Sequence, residues 1–270
     1  MKISLPRMLV LSLFLLVTAI PLVLVTLGAM SSDAALSRLD FGQASPAQFV
    51  SNISEVLWGP SQFAAALGNT VLLCVVMVAL QVPSTFIAAY AFAFFTFPGK
   101  RGLYVTLVAA YLIPAVTTVI PLFFVMTALG MKGTPLGILL PYVLFSPYAL
   151  VLFRERFETL PHELLDQARV DGLGPWGVLW HVAAPLMKSF ITLIALVTFV
   201  TMWNAFLWPR LIAGAAWPTA TVAMSSLQGQ YDSNWHLVLS AAFLALIPAI
   251  SAFVIVRNNL VTTFVEETEI

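Results

Sequence analysis

The sequence predicts an all-α membrane protein, a single domain over residues 1–270 with six transmembrane helices. Three observations carry that prediction. First, the 270 residues are 60% hydrophobic and 9% charged, with a mean hydropathy of +0.97, whereas an average soluble domain is about 25% charged. Second, the apolar residues form continuous runs and do not alternate, which selects helices over an outer-membrane barrel. Third, the twelve Lys and Arg fall unevenly about those runs. A soluble chain of this size could not hide so much apolar surface, because folded surfaces are already more than half apolar. Twelve acids balance the twelve bases, which leaves no basic face for nucleic acid. The one cysteine, Cys74, builds neither an internal disulfide nor a cysteine-based metal site.

The elements follow in order. Lys2 and Arg7 precede an uncharged stretch from Met8 to Ser32. A basic start and an apolar run also describe a secretory signal, but this run exceeds the roughly 20 residues that cross a bilayer. It is therefore expected to be a retained first span, about 8–30. The second span, about 63–95, is longer than one perpendicular crossing needs and must tilt or protrude. The third is placed at about 103–129, the fourth at 136–153, the fifth at 190–208 and the sixth at 237–256. A polar segment, 154–188, separates the fourth from the fifth. Six spans put both termini on one side. That side holds Lys2, Arg7, Lys100, Arg101, Arg154, Arg156, Arg169, Lys188 and Arg257; the other holds only Arg38, Lys132 and Arg210. The positive-inside bias makes the nine-base side cytoplasmic, with both termini and the 154–188 segment.

No acid or base falls well inside any span. Ion-coupled transporters usually keep an ionisable residue there, and an intramembrane hydrolase needs a nucleophile with a base, or a metal. His162, His181 and His236 all lie outside the spans or at their edge, where interfacial histidines are ordinary. No phosphate-cradling Gly-x-x-x-x-Gly-Lys loop exists, so energy for uphill movement must enter through a partner. Asn69, Thr70, Gln81, Ser84, Tyr90 and Asn204 are polar within spans. They fit two readings: hydrogen-bonded joints between helices, or the lining of a path for a hydroxyl-rich solute. Prolines 21, 83, 114, 121, 141, 147 and 248 are expected to kink the spans. Trp203, Trp208, Trp217, Tyr231 and Trp235 cluster near the outer ends of spans five and six. They read as an interfacial aromatic belt, or as a sugar-stacking gate. The polar 33–62 loop is open to an extracytoplasmic partner, and the acidic tail beyond Arg257 fits two readings, a solvated end or a segment lying against a partner subunit.

The segment 154–188 is the most informative. Pro161 suits a first helical turn, and helix formers follow through Val170. Leu164, Leu165, Ala168 and Val170 approximate one apolar face. Gly172 provides the left-handed stop after Asp171. Gly174-Pro175 turns the chain, and a second short helix, Trp176 to about Ala183, leads back towards Pro185. An amphipathic helix can lie on lipid, but Glu163, Asp166 and Asp171 on its polar face suit a protein partner better.

Leu160-Pro161-x-Glu163-x-x-Asp166-Gln167-Ala168-x-x-Asp171-Gly172, followed by Pro185-Leu186, resembles the EAA loop of ABC-importer permeases. Ala88 to Ala93 with Phe97-Pro98-Gly99-Lys100, Ile120-Pro121-Leu122, Leu140-Pro141-Tyr142 and Trp203-Asn204-x-Phe206 point to the carbohydrate branch. That branch resembles the permease subunits of maltose and glycerol-3-phosphate importers. The resemblance implies a prokaryotic inner-membrane subunit with a coupling helix between spans four and five. It implies four partners: a second permease, two ATP-binding subunits that hold ATP and Mg, and an extracytoplasmic solute-binding protein. No cofactor is implied in this chain, which would be a transport subunit and not an enzyme. Glu163, Asp166, Gln167, Ala168, Asp171 and Gly172 would couple to the ATPase; Asn69, Gln81, Tyr90, Trp203 and Asn204 are the candidate solute path. Departures from the pattern are Asp166 for the usual Glu, Gln167 for the first Ala and Leu173 for the Ala after the glycine. The uncharged spans fit a sugar or polyol; a glycerol phosphate would need cations from the second permease. The competing class is an ATP-independent secondary transporter or channel for a small neutral solute.

Overall fold

The computed structural model describes residues 5–228 and 234–266, with the side chains of Pro6 and of 258–266 excepted. Lys2, Tyr231 and the last four residues of the acidic tail lie outside the described residues. In chain order the α-helices are α1 (Leu5–Ala29), α2 (Asp33–Ser37), α3 (Pro46–Trp58), α4 (Phe63–Phe94), α5 (Lys100–Leu112), α6 (Ala115–Ala128), α7 (Pro135–Leu139), α8 (Pro147–Glu158), α9 (His162–Val170), α10 (Pro175–Val178), α11 (Ala184–Leu186), α12 (Lys188–Trp203), α13 (Leu207–Ile212), α14 (Ala220–Ser226) and α15 (Trp235–Glu266).

Among the described residues three helical stretches are long and apolar enough to cross a membrane unbroken: Arg7–Ala29, Phe63–Phe94 and Trp235–Arg257. They match the first, second and sixth expected spans. The other three expected spans are interrupted. The third is two helices, α5 and α6, bent by 100°. Pro114 lacks the N–H that would continue α5, and it holds Ile113 extended (φ −71°, ψ 121°). The fourth is not one helix: α7 ends at Leu139, turns occupy 140–144, and α8 restarts at Pro147 behind the Ser146 cap. The fifth stops at Trp203, and α13 forms a separate helix after the break at 204–206. Prolines 21, 83, 121 and 248 stay inside their helices, so proline alone does not decide where a helix stops.

Contacts divide the chain into two compact units. The first comprises 1–68 and 219–248. Its core packs Val56, Phe63 and Ala66 against Ala220, Ala223, Leu237 and Ala241. The end of α1 is fastened by buried Asn52, whose Nδ2 donates to the carbonyls of Ala29 (3.0 Å) and Ser31 (2.9 Å). Those carbonyls lie at and just past the C-terminal end of α1, where helical backbone bonding runs out. Earlier in α1, side chains from Arg7 to Leu16 are exposed on every side.

The second unit comprises 69–218 and 249–270. Its core gathers Phe86, Phe153 and Phe157, all fully buried, with Leu150, Leu165 and Leu179. Phe86 meets Phe153 edge-on at 5.2 Å and Phe157 at 4.9 Å, geometries that favour aromatic pairs. This core joins α4, α8 and α9, so the projecting loop is packed onto the apolar helices. Every residue of the candidate sites described next lies in this unit.

Candidate functional site

The loop 161–175 folds as its sequence predicts, with one change of face. In α9 the buried side is Leu165 and Ala168. Leu164 is 44% exposed and Val170 87% exposed, against the expectation that both belong to the packed face. The reason is the 100° helical step: Leu165 and Ala168 share the side that meets Phe157 and Leu179, and Val170 lies beyond it. Asp171 N–H bonds to Gln167 O (2.9 Å), Gly172 N–H to Arg169 O (3.0 Å) and Leu173 N–H to Ala168 O (3.0 Å). Gly172 takes φ +90° with no atom within 4 Å of a Cβ position. The glycine is therefore needed for its backbone conformation and not for space.

The chain turns at Gly174 and re-enters through α10. Residues 179–183 form one π-helical turn where a second α-helical stretch was expected; such insertions widen a helix locally. The Tyr90 hydroxyl donates to Pro175 O at 3.2 Å, tying the loop to α4. Arg169 bonds Asp166 at 2.7 Å, both side chains being exposed, and it interacts with Tyr90. Of the expected coupling residues, Glu163, Asp166, Gln167, Asp171 and Gly172 are brought together on the exposed side. Ala168 is buried and supports them from beneath.

A cavity of about 660 Å³ lies in the same unit. Gln81, Tyr111, Tyr142, Tyr148, Thr198 and Trp208 line it, and no charged side chain does so among the described residues. Only Gln81 of the expected path residues reaches it. Asn69 donates to Pro218 O (2.9 Å), Asn204 caps its own helix through Val200 O (2.8 Å), and Tyr90 serves the loop. Trp203 is 6% exposed and stacks on Phe199 at 5.6 Å, and Trp208 is 8% exposed. Both are packed inside the fold, which departs from an interfacial belt. Trp208 Nε1–H is shared by the carbonyls of Gly137 (3.2 Å) and Ile138 (3.3 Å), which draws α13 onto α7.

The polar residues of α4 satisfy broken backbone. The Gln81 amide donates to Tyr142 O, the Ser84 hydroxyl donates to Leu144 O, and Thr85 Oγ1 accepts from Ser146 N–H at 3.1 Å. All three partners lie in the interrupted stretch between α7 and α8. Irregular backbone at membrane depth persists only where protein supplies such partners. The cavity's tyrosines were missed from sequence because Tyr111, Tyr142 and Tyr148 read as ordinary span residues.

The family described as binding-protein-dependent transport system inner membrane component matches residues 81–265. This chain belongs to that family. Among relatives, the osmoprotective compounds uptake permease protein GgtD of Synechocystis is 30% identical over 208 residues, 76% of this chain and 70% of the relative. The sn-glycerol-3-phosphate transport system permease protein UgpE of Yersinia enterocolitica is 29% identical over 207 residues, covering 76% and 73%. The lactose transport system permease protein LacG of Rhizobium radiobacter is 28% identical over 194 residues, covering 72% and 71%. A solved bacterial ABC transporter involved in importing the acidic polysaccharide alginate has the same fold, with TM-score 0.75 and 22% identity over 93% of this chain and 94% of that one. This family member is thus a multi-pass transport subunit of the inner membrane, a permease and not an enzyme. The importer reading prevails over an ATP-independent transporter or channel.

Proposed function

We propose that the chain is one of two permease subunits of an ABC importer that carries a neutral, hydroxyl-rich solute such as a sugar or polyol. The observation that carries the coupling half of this reading is the 161–175 loop. A short helix with acidic outer residues ends at a left-handed glycine and is held by Phe157, Leu165 and Tyr90 to the core. Two ATP-binding subunits, holding ATP and Mg, would grip this loop and its counterpart on the second permease. Their closure would move α9 as a lever, and the Phe86–Phe157 contact would pass the motion into α4. No bond is made or broken by this chain. A solute-binding protein would deliver cargo on the opposite face.

Counting each bent helix pair as one pass, and the interrupted 135–158 stretch as another, gives six passes with the three long helices. Both termini and the loop then lie in the cytoplasm. The uncharged aromatic cavity supports a neutral cargo, since sugar rings stack on Tyr and Trp faces. The relative named for lactose agrees with that class.

The test is ATP hydrolysis by the purified assembly with and without binding protein. Asp166→Lys replaces the exposed acid that Arg169 now holds, and it should abolish stimulation by binding protein. A chain that purifies with no ATPase, or stimulation untouched by this change, would overturn the coupling role.

A further inference from the structure

We infer that the cleft between the end of α4 and the start of α5 binds the phosphate of an anionic phospholipid from the cytoplasmic leaflet. The inference rests on the membrane orientation proposed above. The cleft is about 510 Å³, and its lining includes Phe92, Phe97, Lys100, Arg101, Tyr104 and Arg154. Three of the chain's twelve Lys and Arg therefore converge on one small volume in a molecule of net charge zero. No carboxylate lines it among the described residues. Glu158, outside the lining, is bonded to Arg154 at 2.7 Å.

Each cation is placed. Arg154 lies over the Tyr104 ring at 4.4 Å. A guanidinium does not lose its proton in proteins, so Arg154 is a fixed positive charge. Lys100 Nζ donates to Phe95 O at 2.9 Å, which spends one of its three donors and holds it at the rim. Arg101 is exposed at the mouth. The thirteen-residue helix α5 begins here, with Gly99 at φ +78° and no side chain capping its first amides, which adds positive field to the same spot.

The apolar part of the cleft selects a lipid over a free anion. Phe92 meets Phe97 at 5.6 Å and Tyr104 at 5.7 Å, forming an aromatic wall beside the cations. Inorganic phosphate has no use for that wall, whereas the glycerol and first methylenes of a phospholipid do. Basic pockets at the cytoplasmic ends of membrane helices suit such headgroups.

The full-length chain, in its purified importer assembly, is placed in nanodiscs of phosphatidylcholine and phosphatidylglycerol. Retained lipid is then counted by native mass spectrometry. The unmodified protein should keep phosphatidylglycerol in preference to phosphatidylcholine. Arg101→Gln should lower that preference about fivefold, the effect of one basic residue at an anionic surface. Arg101→Lys should restore most of it, and Lys132→Gln, a cation elsewhere, should change nothing. Added inorganic phosphate at millimolar level should not displace the lipid. Equal retention of the two lipids, or loss that is the same for Lys132→Gln, overturns the site. Displacement by inorganic phosphate reassigns it to a soluble anion. Unchanged lipid retention with weakened ATPase association in Arg101→Gln reassigns it to a protein surface. Orientation is read separately, from labelling of Arg101→Cys by a membrane-impermeant maleimide on intact cells. Labelling from outside overturns the cytoplasmic assignment whatever the lipid counts show.

Discussion

Gly172 and Gly99 form a natural pair for separating backbone strain from surface recognition. Both hold positive φ, +90° and +78°, and neither has an atom within 4 Å of its Cβ position. Alanine at either site adds about 1 kcal/mol of conformational strain and no clash. Gly172→Ala and Gly99→Ala should therefore lower thermal stability alike. Gly172→Arg carries the same strain plus bulk on the exposed end of the loop. We expect it to reduce stimulated ATP hydrolysis far more than Gly172→Ala does. Equal hydrolysis by the two Gly172 variants would mean that this surface meets nothing. At the same scale, Ala168 illustrates a motif residue whose part is to be small. It is 7% exposed beneath the acidic residues, and a larger side chain would push α9 off the core.

Among the helices, α4 does the most. It supplies Phe86 to the core, Tyr90 to the loop, and Gln81, Ser84 and Thr85 to the backbone of the interrupted stretch. Gln81→Leu removes the donor to Tyr142 O and leaves that carbonyl without its partner. The cost should be about 1–2 kcal/mol, read as a lower melting temperature in detergent. Solute uptake should fall as well, because Gln81 and Tyr142 both line the cavity. A variant with unchanged melting and uptake would show that the stretch holds itself. The breaks around 113–114, 140–146 and 204–206 are thus built features: in the middle one each broken backbone group named above has a side-chain partner on α4, and around them Trp208 pins α13 to α7.

For the whole molecule the proposed six-pass arrangement fixes which loops face the cytoplasm. Cysteine labelling tests it. Cys74 is fully buried, with its Sγ 3.7 Å from Phe199 O, so the folded chain offers little background. Lys132→Cys should react with an impermeant maleimide added outside intact cells, and Arg169→Cys only after the membrane is opened. Labelling of both from one side would remove the six-pass arrangement. The bare N-terminal half of α1 belongs to this scale too: its exposed Leu, Val and Phe side chains need lipid or another subunit around them.

Composition and the run of charges were enough to determine the class, because an excess of apolar surface has only one solvent that accepts it. The long helices were legible for the same reason. The loop was legible because its signals are local: proline at the start, glycine at the stop, acids outside. The sequence alone did not show where the other spans break, since prolines 83 and 248 ride inside helices while 114 and 147 mark interruptions. Which proline interrupts depends on whether neighbouring helices can satisfy the freed backbone groups, and that is a property of packing. The cavity was equally hidden. Its tyrosines and Trp208 come from segments far apart in the chain and meet only when α5, α8, α13 and the 140–146 break are assembled. The basic cleft formed in the same way: Arg154 shares it with Lys100 and Arg101 because α8 packs beside α5, a contact that no spacing in the sequence records.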